Sequence, residues 1–281
     1  MRKIEKPELD PVEVFSVCIS KVRNPGLKQR LKSCTNVVKV ASIEFDKKAS
    51  DTTLHTTVRS QGYIGNVTAE EMVKVYTDRM VGQKAPGREF YDKLISAPAH
   101  GRCPLCGQRI VTTLDHHLPK AEYPALAVCP YNLVPSCFDC NFGKLTSIPQ
   151  TSEQETLHPY YDDVEGYVWL KCRVIEVSPP ALSFYAEPPP EWDGILSSRI
   201  IYHFNTLKLG ELYGSHAAEE LCNIHRAIEL VFDAGGKPSV AEYLEGEAQS
   251  RAANFKNSWQ TAMYAGLASS DWFCAGGFDA R

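Results

Sequence analysis

Apolar side chains recur three and four residues apart along much of the chain, and the places where that rhythm stops are as informative as the rhythm. From Asp10 onward, Val12, Phe15, Cys18, Ile19 and Val22 repeat at helical spacing. Asp10 stands where a side chain can accept hydrogen bonds from the first turn, and Pro11 occupies the first helical position, where its missing N–H costs nothing. An amphipathic helix is predicted there, broken by "NPG" at 24–26 and followed by a shorter one over "LKQRLKSC". "TAEEMVKVYTDRM" opens with Thr68 and Glu71 in capping-box spacing, and "REFYDKLI" continues the helical character, so the first hundred residues read as mainly helical.

Between Arg102 and about Tyr161 the texture changes: cysteines, histidines and prolines replace the amphipathic repeat, with a short β-like run, "RIVTTL", inside it. Beyond it, "GYVWLKCRVIEV" and "LSFYA", split by "SPP", predict two strands of a hairpin-like unit. "SSRIIYHFNTLKL", "AAEELCNIHRAIELVF" and "SWQTAMYAGLA" then predict helices. The expected fold class is α+β, divided as a helical region 1–98, a chemistry-bearing core 99–161, and a C-terminal region 162–281 with a small β unit followed by helices.

Composition adds less. A chain of 281 residues, 43% hydrophobic and 23% charged, can bury a sizeable core. It has no apolar run near the ~20 residues of a membrane span, and no apolar stretch follows the basic start "MRKIEKPELDP", so a cytoplasmic protein is expected. Charge is uneven. Residues 1–144 hold 21 Lys and Arg against 15 Asp and Glu, whereas 145–281 hold 9 against 19, so the net −4 hides a basic N-terminal half. No acid lies between Phe15 and Ile43, where Lys21, Arg23, Lys28, Arg30, Lys32 and Lys39 fall. That stretch is either a phosphate-facing surface or a solvated helix face.

Of the 10 cysteines, Cys103 with Cys106 and Cys137 with Cys140 form two C-x2-C pairs, while Cys18, Cys34, Cys129, Cys172, Cys222 and Cys274 are scattered among apolar neighbours. In a reducing compartment this predicts one metal site plus buried thiols rather than a disulfide framework. Four thiolates suit tetrahedral Zn(II), and a closed four-cysteine site leaves no position for substrate, so the zinc is expected to be structural. It would clamp the segment entering "RIVTTLDHH" to the start of "CFDCNFGK", bringing Asp115 and His116 near Asn141. If 137–145 is a helix, Cys137, Cys140, Asn141 and Lys144 share one face. Asp115 and Asn141 offer oxygen ligands for Mg(II), and His116 offers a base near neutral pKa, the combination that phosphodiester hydrolysis needs.

"CPLC", "LDHHLP" and "YNLVPSCFDCNFGK" together resemble an HNH endonuclease motif of the ββα-metal fold, with zinc-knuckle cysteines around it. The D-H-x-x-P element is met by Asp115, His116, His117, Leu118 and Pro119, the central asparagine by Asn132, and the last position by Asn141, so the motif reads H-N-N. The resemblance covers about sixty residues. It implies general-base action by His116, ligation of Mg(II) or Mn(II) by Asp115 and Asn141, and a loop-holding role for Asn132. DNA is the implied substrate, with RNA as the alternative. "LHPYYDD" and "DWFCAGGF" are similar to stretches of bacterial anti-phage proteins, nearest the HNH subunit of Septu, which implies an ATPase partner. Two other classes compete: a non-catalytic zinc module that binds nucleic acid or protein, and an RNA-cleaving, toxin-like nuclease released by a partner.

Among the remaining polar residues, His117 is expected to pack rather than act. Lys144 is expected either against substrate phosphate or in solvent at its helix end, and His158 either beside the metal or in packing. His203, His216 and His225 lie in helical stretches, where packing and surface roles are expected, and Trp169, Trp192, Trp259 and Trp272 are expected in the core or in interfaces.

Overall fold

In the computed structural model, which describes residues 1–60, 62–144 and 148–279, α1 (Pro11–Ile19) opens as its sequence predicts, with the Asp10 carboxylate accepting from the Val12 amide at 2.9 Å. It stops three residues short of Val22, because Asn24 caps the next helix, α2 (Pro25–Ser33), by accepting from Leu27 N at 2.9 Å. The same "NPG" therefore ends one helix and begins another.

The pattern did not predict α3 (Thr35–Ser50). Its buried residues, Val38, Ser42, Phe45 and Ala49, do follow a helical stripe, but Val37, Val40 and Ile43 on the other face are exposed, so apolar residues run round the helix and blur its period. A two-residue hairpin, β1 (Tyr63–Ile64) with β2 (Val67–Thr68), leads into α4 (Ala69–Tyr76). There the predicted capping box is complete, with Glu71 N donating to Thr68 Oγ1 at 3.2 Å and Thr68 N to Glu71 Oε2 at 3.1 Å. A wide helical turn over Thr77–Val81 precedes α5 (Arg88–Ile95).

The run "RIVTTL" yields β3 (Thr113–His116), shifted towards the histidines, and β3 pairs antiparallel with β4 (Leu133–Ser136). Pro135 sits opposite Leu114 without harm, because a two-stranded ribbon leaves each strand one edge that needs no partner. The expected helix after Cys137 is α6 (Phe138–Lys144). Leu114 of β3 and Leu133 of β4 belong to the same buried cluster as Phe15, Leu31, Val38, Met72, Val75 and Leu94. The N-terminal helices and the hairpin thus share one core, and the chain divides once, into units Met1–Asp163 and Val164–Arg281.

The second unit contains the predicted hairpin, β5 (Leu170–Ile175) with β6 (Ala181–Ala186), in a register that sets Leu170 against Ala186 and Cys172 against Phe184. Asn257 anchors its start, its side-chain oxygen accepting from Trp169 N at 2.8 Å and Leu170 N at 3.1 Å. Then follow α7 (Gly194–Thr206), α8 (Leu209–Ala252), α9 (Trp259–Ala268) and α10 (Asp271–Cys274), with α9 packed on α8 and β5. The helix predicted over 217–232 is the middle of α8, which breaks at Gly236 (φ 64°), a conformation glycine adopts freely, and resumes behind Pro238. Trp169 and Trp259 are buried, as expected of core residues. No helix among the described residues is long and apolar enough to cross a membrane.

Candidate functional site

The four paired cysteines converge. Their sulfurs all lie within 4.8 Å of one another and all four residues are buried. Each pair is folded by its own backbone. Gly107 N donates to Cys103 O at 2.7 Å and Arg109 N to Cys106 Sγ at 3.5 Å, a tight turn that Gly107 completes at φ 67°, where a side chain would be strained. In the second pair, Asn141 N donates to Cys137 O at 3.1 Å and Cys140 N to Cys137 Sγ at 3.4 Å. Hydrogen bonds among the crowded thiols push Cys106 and Cys137 down and Cys103 and Cys140 up, as expected of four sulfurs that share their protons at close range. The donor set fits Zn(II), whose four bonds of about 2.3 Å to sulfur span such a cluster. Of the other six cysteines, five are buried as expected; Cys222 is exposed.

The clamp joins the entry of β3 to the start of α6, and Thr112 N donates to Ser136 O at 3.0 Å beside it. Asp115, His116 and Asn141 consequently line one cleft of about 450 Å³, together with Val73, Pro119, Lys120, Ala121, Phe138 and Phe142. Asn132, fully buried, closes the loop between the strands: its side-chain oxygen accepts from Leu118 N at 2.7 Å, and its amide nitrogen donates to Leu118 O at 3.0 Å and Leu126 O at 3.3 Å. The next carbonyl, Ala127 O, is thereby held 2.9 Å from His116 Nε2. A carbonyl only accepts, so Nε2 carries the hydrogen and Nδ1 of the neutral ring carries the lone pair. Tyr76 meets the ring edge-on at 4.5 Å between centroids. Burial, with smaller contributions from Lys120 and Lys144, pushes His116 down to about 3 against the pull of the Ala127 carbonyl, so the imidazole is neutral at pH 7 and, in this unliganded state, a weaker base than the near-neutral one expected from the sequence.

Lys144 differs from both expectations. It is neither solvated nor left open to a phosphate: its ammonium is buried, 3.1 Å from Asp115 Oδ2 and 2.7 Å from His117 O. A seven-residue helix pinned by Cys137 and Cys140 carries its last residue inward, and Asp115 pairs with the charge so buried. Asn141 Nδ2 reaches Thr113 Oγ1 at 3.4 Å. His158 is not among the residues lining the cleft. It is buried, with its ring tilted by 38° against His117 at 4.3 Å and edge-on to Tyr161 at 4.9 Å, and with Nε2 3.1 Å from Tyr131 O. His203 is buried on α7, His216 stacks on Trp259, and His225 lies near Glu229 and Asp279.

Sequence reasoning missed Tyr76, Lys120, the Ala127 carbonyl and the two phenylalanines. Lys120, directly after "DHHLP", and Phe138 and Phe142, spaced i, i+4 on either side of Cys140, were visible signals. Tyr76 and Ala127 are brought in by tertiary contacts that leave no local trace.

The fold and the cluster define a mixed α+β protein with a buried four-cysteine site suited to zinc. Over 230 residues the chain is 30% identical to Protein ea31 of Escherichia phage lambda, a match covering 76% of this chain and 76% of that protein. It belongs to the family of that phage protein. No family model matches the chain, and no solved structure matches it.

Proposed function

We propose that the protein is a metal-dependent HNH endonuclease that hydrolyses phosphodiester bonds of DNA, with β3, β4 and α6 as its ββα-metal core and a structural zinc on Cys103, Cys106, Cys137 and Cys140. One observation carries the reading: a neutral imidazole, fixed through Nε2 by the Ala127 carbonyl, lines the same cleft as a carboxylate and a carboxamide. Nδ1 of His116 takes a proton from water, whose oxygen bonds to phosphorus as the bond to the leaving sugar oxygen breaks. The negative phosphodiester, on arrival, raises the proton affinity of the buried ring and so strengthens the base.

Asp115 and Asn141 would hold Mg(II) or Mn(II), which when bound stabilises charge on the phosphate and the leaving oxygen. That Asp115 already takes the Lys144 ammonium supports a position built for positive charge. Asn132 acts as a positioning residue, since it secures the loop that carries Ala127. The proposal includes a protein partner, an ATPase by the resemblance to Septu, in anti-phage defence; co-expressed, the two are expected to co-elute on size exclusion, and separate elution would count against that part. The nuclease itself is tested by incubating supercoiled plasmid with zinc-loaded protein and Mg(II), Mn(II) or EDTA. Nicking with metal and none with EDTA is expected, and intact plasmid throughout contradicts the reading.

A further inference from the structure

The cleft carries two phenylalanines that neither the core nor the proposed chemistry uses. Phe138 and Phe142 lie one turn apart on α6, 66% and 65% exposed, with rings stacked at 5.8 Å between centroids and inclined by 11°. The adjoining face of the helix is committed to Cys140, Asn141 and Lys144. Phenylalanine is ordinarily buried, so two parallel rings left in water beside a polar site call for a ligand with a flat apolar face.

The rest of the lining narrows that ligand. Val73, Pro119 and Ala121 add apolar surface, Asp115, His116 and Asn141 are polar, and Lys120 brings a cation. A planar ring joined to an anionic group, which is a nucleotide, matches all three parts, and the excess of basic residues in 1–144 favours the same polyanion. A paired duplex hides base faces within its own stack, so only an unpaired base can lie on an aromatic ring.

We infer that Phe138 and Phe142 form a stacking platform for an unpaired nucleobase next to the scissile phosphate, so that the preferred substrate is DNA with a single-stranded or locally opened segment. The inference rests on the nuclease reading above for the phosphate's role, but it is tested apart from cleavage. Full-length, zinc-loaded protein in magnesium-free buffer is titrated into labelled oligothymidine of about 15 nucleotides, a duplex of equal length, and an oligonucleotide of the same length with consecutive abasic sites. Wild type is expected to bind the oligothymidine more tightly than the other two. Phe138→Ala/Phe142→Ala is expected to lose about tenfold on oligothymidine alone, with unchanged zinc content and melting temperature because both rings are exposed. Equal oligothymidine affinity for wild type and variant, equal binding of abasic and thymidine strands, or no binding of oligothymidine overturns the platform. Failure of the nuclease reading shows separately, as absence of metal-dependent plasmid cleavage whatever the binding result.

Discussion

His116 and Asn132 concentrate the account at the scale of single residues. A histidine whose folded pKa lies below its unfolded value of about 6.5 binds its proton more readily when unfolded. The stability it contributes is therefore present above pH 6.5 and is lost as pH falls from there towards 3. Wild type is expected to lose up to about 1.4 kcal/mol per pH unit more than His116→Gln over that window, read from urea midpoints at pH 7, 6 and 5. Parallel losses would show that the imidazole is not held neutral by burial. Asn132→Ala leaves Leu118 N and the Leu118 and Leu126 carbonyls without their buried partner and is expected to cost about 2–4 kcal/mol. Asn132→Asp should rescue little, since a carboxylate accepts from Leu118 N but donates to neither carbonyl. Rescue to wild-type stability by Asp would contradict the assigned bonds. The nearness of Asp115 and His116 to Asn141 was legible because the spacing of the two cysteine pairs draws their segments together. The Ala127 carbonyl was not, since a backbone acceptor has no residue identity to read.

Among the elements, the four-cysteine cluster matters most, because β3 and α6 are short and are joined through it rather than through a wide sheet. One zinc per chain is expected by elemental analysis. Its removal, or Cys137→Ser, is expected to lower the melting temperature and the folded yield, since metal-binding energy here is folding energy. A metal-free sample with native circular dichroism and an unchanged melting temperature would show that the cluster is not structural. Elements with a clean period or a capping signal, such as α1, α4 and the β5–β6 hairpin, could be read from sequence. α3 could not, because Val37, Val40 and Ile43 spread apolar character onto its exposed face, and β4 was obscured by Pro135, which a strand with an unpaired edge accommodates. Lys144 was placed on the correct helix face, but its burial follows from how deeply the cysteines draw α6 inward.

For the molecule as a whole, the chain divides into units Met1–Asp163 and Val164–Arg281, and one core within the first joins Phe15 and Met72 to Leu114 and Leu133. Composition changed near residue 100 because the chemistry starts there; the packing does not change with it. A fragment of residues 1–163 is accordingly expected to bind zinc and melt cooperatively, whereas one starting at residue 99 should not fold, which circular dichroism of the two would decide. The proposed role of His116 as the base of a nuclease is decided by plasmid nicking with Mg(II), comparing wild type with His116→Ala at matched zinc content and with circular dichroism confirming the fold. Wild type is expected to nick the plasmid and the variant to lose at least about a hundredfold in rate. Equal cleavage by the two proteins would contradict that role.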